Sequence, residues 1–341
     1  MVTIEDIARL SGVSTMTVSR VVNKSSSVKS ATRDKVLKVI EETGYKPNMN
    51  AKSLVCGKSK TIGVLSSNYY NQAYLDIVVA IEDYAYGEGV TVIDANVNDY
   101  VSACNAVDLF LGKQVEGIVV LPLEMKMTEV ADYRESLKEI ARFSDYFKDT
   151  VKKHGVPVIT VSQKIDGIEN VAFDFAGVAK VAMDKLIQKG YRDITMLNSN
   201  IDAGLWKEKE EIYLAAMKKA GAEEFINVEK DVALVEGGRK AMERVLQKRT
   251  PRAVFCANDY MAIGALQVLN KRKISIPEEV AVIGNDDVVF CEMTSPRLTS
   301  VSLCMKESGN VAIKRLFELI DGAKPCEDVT SSISYKERET I

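Results

Sequence analysis

Histidine is nearly absent: the 341 residues contain one, His154, in "VKKHGVP" just ahead of an apolar run. His154 reads as a surface turn residue and not a catalyst, and with no Cys/His spacing in the chain, histidine-based triads and His/Cys zinc centres are set aside. The six cysteines (Cys56, Cys104, Cys256, Cys291, Cys304, Cys326) are scattered without a C-x-x-C pair. In a chain of this size they read as buried reduced thiols, not a disulfide frame. No apolar run approaches the length of a membrane span. The opening "MVTIEDIARL" carries Glu5 and Asp6 with no basic flank, unlike a secretory signal, so a cytoplasmic location without membrane attachment is expected. Gly-rich phosphate loops and a nucleophile elbow are missing as well. Strand-end carboxylates could still act as acid and base, but the balance is against an enzyme, and no catalytic residue, metal or cofactor is expected.

What is present is an uneven charge. The net charge is −3 overall, yet residues 1–60 hold eleven Lys/Arg against five Asp/Glu, leaving an acidic remainder. A basic head on an acidic body is the footprint of a nucleic-acid-binding module joined to something else. Within the head, Thr3 with Asp6 three residues on resembles a capping box that starts a helix carrying Ile4, Ile7 and Ala8 on one face. Gly12 suits a tight turn, and Ser14 can cap a second helix whose Val18, Val21 and Val22 face inward. Its outward face is then Thr15, Met16, Thr17, Ser19 and Arg20. Short hydroxyl side chains let a helix sink into a major groove, and an arginine can reach guanine bidentately, so the segment reads as a helix-turn-helix. A third helix is expected from about Thr32 to Thr43, capped by Ser30, with Val36, Leu37 and Ile40 inward and Gly44 ending it. Beyond Pro47, "NMNAKSLVCGKSK" has short helical potential, small Ala51, basic Lys52 and a lone Leu54 able to wedge into a minor groove.

"TIEDIARLSGVSTMTVSRVVN", "SATRDKVLKVIEETGYKPNMNAKSL" and "TIGVL" together closely resemble the lac repressor/galactose repressor family of bacterial transcription regulators. The resemblance implies that Thr15 and Met16 choose the operator, that Thr17, Ser19, Arg20 and Asn23 meet backbone and bases, and that Tyr45 and Asn48 are a backbone-contacting tyrosine and a hinge-starting asparagine. It also implies that Leu54 kinks the operator centre. Thr3, Ser14, Ala51 and Lys52 complete the expected DNA-binding set. The apolar side chain of Met16 suits a thymine methyl.

From Thr61 onward, strands such as "TIGVLSS", "VTVIDAN", "VEGIVVLP", "VPVITVS", "DITMLNS", "AVFCAND" and "VAVIGND" alternate with amphipathic helices. That alternation means α/β architecture with parallel sheets covered on both faces, in two rounds and so two lobes. Ligands in such sheets sit beyond the carboxyl ends of the strands. The resemblance makes this a two-lobed periplasmic-binding-protein-like core, crossed by the chain near Gln163, Phe290 and Gly322. The domains are then a helix-turn-helix at 1–47, a hinge and linker at 48–60, and a core at 61–341. Lobe one of the core covers about 61–162 and 292–322, and lobe two about 163–291 and 323–341.

The expected effector set is Tyr69, Tyr70, Asn71, Asn96, Ser162, Trp206, Lys207, Asn258 and Asp286, with Asn258 and Asp286 on sugar hydroxyls by the resemblance. A helix N-cap at a strand end is the competing reading of Asp286 with Asp287. Three features depart from the family pattern. Ser162 stands where an Asp is usual, Lys207 where an Arg is usual, and Gln72 and Ala73 replace Pro and Phe. The charged, helical 123–155 segment is also longer than in most relatives. The whole is read as a sequence-specific regulator, expected to be a repressor of carbohydrate-use genes. It would bind a near-palindromic double-stranded DNA operator as a homodimer, gated by a sugar or sugar derivative. The alternative is a non-sugar ligand or a partner protein acting on a degenerate sugar site.

Overall fold

A computed structural model describes residues 2–22, 25–46, 59–67, 72–124 and 133–341. Residues 1–60 and 61–341 are separate compact units.

The first unit holds α1 (Ile4–Ser11), α2 (Thr15–Val22) and α3 (Ser30–Thr43). Ile7, Ala8, Val18, Val21 and Val36 form its small core. Two expectations need correcting. Helix α3 begins at Ser30 itself, after Lys29 and without a side-chain cap, so Ser30 is not its cap. Leu37 is 47% exposed; the inward positions beside Val36 are Val39 and Ile40, because three and four residues, not one, return a helix to the same face.

The second unit contains two six-stranded sheets. The first has the order β11-β5-β4-β3-β1-β2, all parallel: β1 (Thr61–Ser66), β2 (Thr91–Asn96), β3 (Gly117–Val120), β4 (Val158–Val161), β5 (Glu169–Ala172) and β11 (Val329–Thr330). The second has the order β12-β10-β9-β8-β6-β7: β6 (Ile194–Ser199), β7 (Val228–Asp231), β8 (Ala253–Cys256), β9 (Ala281–Asn285), β10 (Thr299–Ser302) and β12 (Ser334–Lys336). Only β12 runs antiparallel to its neighbour there.

Parallel neighbours require crossover helices, and these cover both faces. In lobe one, α4 (Gln72–Gly87) and α11 (Met305–Ile320) pack together on one face. The other face carries α5 (Tyr100–Gly112) and α6 (Tyr133–His154), with Phe110, Phe143 and Phe147 buried beneath them. Helix α6, the crossover between β3 and β4, takes up residues 133–154 of the charged segment. In lobe two, α7 (Phe175–Gln188) and α8 (Gly204–Lys219) lie on one face. Helices α9 (Val235–Lys248) and α10 (Asp259–Lys271) lie on the other. Strand alternation sorts the side chains: Ala253 and Phe255 of β8 join one core, Val254 and Cys256 the other.

The crossings fall later than Gln163, Phe290 and Gly322. Strand β5 pairs with β4, and β11 with β5, in the lobe-one sheet, while β10 pairs with β9 in the lobe-two sheet. The chain therefore changes lobe between Ala172 and Phe175, between Ser302 and Met305, and between Thr330 and Ser334. "ENVA" and "TSVS" are too short and too polar to stand out as sheet strands in the sequence.

Candidate DNA-binding head and effector cleft

Local sequence builds the head. The Thr3 hydroxyl accepts from the Asp6 backbone N–H at 3.3 Å, and the Asp6 carboxylate accepts from the Thr3 N–H at 3.1 Å, a closed capping box. Thr3's bonds and Arg9 hold the Asp6 carboxyl below the usual carboxylate range. Gly12, at φ 63°, terminates α1 in the left-handed region that glycine tolerates. The Ser14 hydroxyl accepts from Thr17 N–H at 3.2 Å and lies 2.9 Å from the Thr17 hydroxyl, starting α2. Beyond that start, Thr15, Met16 and Arg20 are exposed, with Met16 at 63%, while Thr17 and Ser19 are half-buried. The Arg33 guanidinium donates to the Ser25 carbonyl at 2.6 Å and ties the α2–α3 connection to α3. Tyr45 is half-buried, its hydroxyl pushed up by burial and secondarily by Glu5. Asn23, Asn48, Ala51, Lys52 and Leu54 lie outside the described residues.

The second candidate site lies where strand ends of the two lobes face each other. Tyr69, Tyr70 and Asn71 fall outside the described residues. Asn96 is exposed at the end of edge strand β2. Ser162 is half-buried at φ 47°, its N–H donating to the Val171 carbonyl at 2.8 Å, and so belongs to the β4–β5 turn of lobe one. Asn258 caps α10: its oxygen accepts from Met261 N–H at 2.9 Å, and its NH2 donates to the Ala233 carbonyl at 2.9 Å. Both ends of that amide are engaged inside the protein. Trp206 sits in the first turn of α8, packed against the core.

Lys207 is exposed, and the lysine that enters the interior is Lys209. Two residues along a helix turn the side chain to the opposite face. Lys209 is 2% exposed and donates from Nζ to the Ala257 carbonyl, at the end of β8, at 2.7 Å. Its ammonium lies 5.7 Å from the Trp206 ring and 5.8 Å from the Phe175 ring. Burial lowers its pKa, opposed by Asp286 and Asp259. The position was legible: Lys209, Tyr213 and Met217 share the buried stripe of α8 at four-residue intervals.

Asp286 follows β9 at φ 107°, its N–H donating to Val301 at 2.9 Å. Burial pushes its carboxyl up, against the pull of Lys209. Behind it, fully buried Asp259 accepts from the Ser300 hydroxyl at 2.7 Å, the Val288 N–H at 2.9 Å and the Cys291 thiol at 3.2 Å. Burial first, and Asp286 second, raise Asp259. A side chain at Gly284 would place its Cβ 2.1 Å from Asp259 Oδ1, so only glycine lets β9 pass this carboxylate. Lobe one brings Tyr74, whose hydroxyl is raised by burial, then by the Glu124 and Asp286 carboxylates. Lys209, Asp259, Tyr74 and Glu124 are not in the expected effector set: Lys209 is marked by its four-residue spacing to Tyr213 and Met217 and Asp259 by its place at a strand end, whereas Tyr74 and Glu124 come to the site through contacts distant in sequence.

A family model for bacterial regulatory proteins of the lacI family matches residues 3–48. A periplasmic binding protein-like domain matches residues 183–341. The chain is 32% identical to the HTH-type transcriptional repressor PurR of Vibrio campbellii, over 94% of this chain and 92% of that protein. The chain belongs to the lacI family. This lacI-family regulator is also 32% identical to catabolite control protein A of Priestia megaterium, over 97% of this chain and 95% of the relative. Among solved structures, the lac repressor dimer bound to operator and the anti-inducer ONPF shares the fold, at TM-score 0.77 and 24% identity over 99% of this chain and 98% of that one. A complex of the regulator CelR with cellobiose matches at TM-score 0.63 and 25% identity over the full length of both.

Proposed function

We propose that the chain represses transcription by placing α2 of two heads in successive major grooves of a near-palindromic operator, as a homodimer. The exposed face of α2 carries this reading: Thr15, Met16 and Arg20 project from a helix whose start is fixed by internal hydrogen bonds. Arg20 would read a guanine and Met16 a thymine methyl, with Thr3, Ser14, Thr17, Ser19, Asn23 and Tyr45 positioning the head on the backbone. Residues 48–60, with Asn48, Ala51, Lys52 and Leu54, would supply the minor-groove contact.

The cleft is read as a binding site for a small effector, not a catalytic one, and its occupancy would gate DNA binding. The partner chemistry we favour is a sugar or sugar derivative held between aromatic faces, with Asp286 and Lys209 on its polar edge. A second reading, a non-sugar ligand or a protein signal, is favoured by one observation: the Asn258 amide, expected on a sugar hydroxyl, is spent on Met261 and Ala233.

The test is selection of bound duplexes from a random pool by the full chain, followed by titration of the selected operator against a sugar panel. A palindromic motif released or tightened by one sugar supports the first reading. A motif that no sugar affects supports the second, and an absence of any motif overturns the regulator assignment.

A further inference from the structure

Lobe two carries a second concavity, at the end of its sheet away from the cleft. The cleft follows the carboxyl ends of β8 and β9. Ahead of the amino ends of β6, β7 and β8 three other pieces meet: residues 189–193, Phe225 at the end of the 3-10 turn Glu223–Phe225, and Arg252. The six residues of β6 separate the two ends of the sheet by about 20 Å. One carbonyl ties the pieces together, that of Asp193, which accepts from the Arg252 and Ala253 N–H groups at 3.0 Å each. They surround an open hollow of about 440 Å³, a volume ordinary for a small-molecule site.

Three cations line the hollow, Lys189, Arg192 and Arg252, against one carboxylate, Asp193, which Arg249 already pairs. Lys189 is engaged, donating to Glu337 at 2.6 Å and to the Ile341 carbonyl at 3.3 Å. The two arginines bond only to backbone. Arg192 Nη1 donates to the Ile187 and Tyr191 carbonyls at 3.0 and 2.9 Å, and Arg252 Nη1 donates to the Glu279 carbonyl at 3.0 Å. Each guanidinium is thus pinned through one nitrogen, while its Nε and Nη2 have no partner among the described residues. Beside them the Phe225 ring is fixed by Arg249, whose guanidinium lies 5.7 Å from the ring centre and donates to the Phe225 carbonyl at 2.7 Å. Holding two guanidiniums without a counter-charge at one hollow costs repulsion that a bound anion would offset. A fork already pinned loses little freedom on binding, and its planar geometry matches two oxygens of a phosphate.

We propose that this hollow binds a dianionic phosphate group, free or on a small phosphomonoester, through Arg192 and Arg252, with Lys189 adding to the attraction. Free phosphate and a monoester share this chemistry, and the Tyr191 and Phe225 side chains offer apolar surface to the organic part of a monoester. The site is separate from the effector cleft and does not depend on the regulator reading.

The test is calorimetric titration of the full chain with inorganic phosphate and, separately, with phenyl phosphate, at fixed ionic strength with chloride as the balancing anion. Arg192→Gln and Arg252→Gln should each weaken saturable binding about three- to tenfold, with melting temperatures unchanged because glutamine keeps an N–H donor for the carbonyls. Arg192→Lys, which keeps the charge and loses the fork, should also weaken it. Arg239→Gln, on the exposed face of α9, should bind as wild type does. Tighter binding of phenyl phosphate would assign the site to a monoester, and equal or weaker binding to free phosphate. No saturable binding of either anion, or binding that the Arg192 and Arg252 variants leave unchanged, would overturn the proposal. So would full affinity in Arg192→Lys, because charge alone would then account for the attraction. Weaker duplex DNA binding by these variants, measured without phosphate, would put nucleic acid on this face and overturn the small-anion site.

Discussion

At the scale of single residues, the cleft carries its chemistry as buried charge. Burial lifts the Asp286 carboxyl to about 6, only partly offset by Lys209. In an unfolded chain the same carboxyl ionises near about 4, so the folded state binds more protons between those values. The resulting contribution to stability is therefore present below about pH 4 and lost as pH rises to about 6. Asp286→Asn removes that loss, while Lys209 keeps its hydrogen bond to the Ala257 carbonyl. The variant should be more stable than wild type above about pH 6, by about 1–2 kcal/mol, and the gap should close near about pH 4. Urea unfolding at a series of pH values checks this; a gap that does not vary with pH would exclude the titration. In the head, Arg20→Ala should cost specific operator binding about 1–3 kcal/mol with little change on unrelated DNA. Competition binding measures both numbers, and an equal loss on every sequence would make Arg20 a phosphate contact.

At the scale of elements, close approach and capping set the tolerances. Helices α9 and α10 meet at Gly238 and Gly264, where an added Cβ would lie 2.2 Å from the Met261 and Val235 carbonyl oxygens respectively. Backbone is the obstacle, so neither site can relax by a rotamer change. Gly264→Ala should destabilise the core by about 1–3 kcal/mol, read as a lower midpoint in chemical denaturation. Thr3→Ala opens the capping box of α1 and should cost the head about 0.5–2 kcal/mol, read from its helical melting transition.

Elements with strong periodic or capping signals were legible in the sequence: α1, α2, the parallel strands and their covering helices all follow from spacing and turn chemistry. What escaped were pieces fixed by neighbours alone. Strand β7, "VEKD", is an edge strand whose Glu229 and Lys230 are held by ion pairs with Arg244, Lys248 and Glu210, and nothing in four residues announces that. Lys207, which stands where the family usually has an Arg, is exposed, and the buried lysine lies two residues on, in the stripe Lys209–Tyr213–Met217. The head was clearer than the cleft because its recognition face is local, whereas the cleft is assembled from strand ends far apart in sequence.

At the scale of the whole molecule, a basic head is joined to an acidic core: the head carries the charge that attracts DNA, and the core is built as two lobes. Apolar side chains remain exposed on the second lobe, among them Phe290 and Met293, which line a groove of about 480 Å³ with Val235, Ile263 and Leu266. If the homodimer buries that groove, Met293→Glu should weaken self-association, and operator binding should become steeper in protein concentration. Sedimentation at micromolar protein would report it, and an unchanged association constant would move the interface elsewhere.

The central claim is sequence-specific DNA recognition by the α2 face. Its most direct measurement is the salt dependence of full-chain binding to a selected operator and to scrambled DNA, for wild type and Arg20→Ala. The account predicts that log affinity falls steeply with log salt for both DNAs, because the backbone supplies a common electrostatic contribution. It also predicts a gap between the two DNAs that persists across salt and narrows in the variant. Wild-type curves that coincide on operator and scrambled DNA would contradict it, leaving a basic domain without a code.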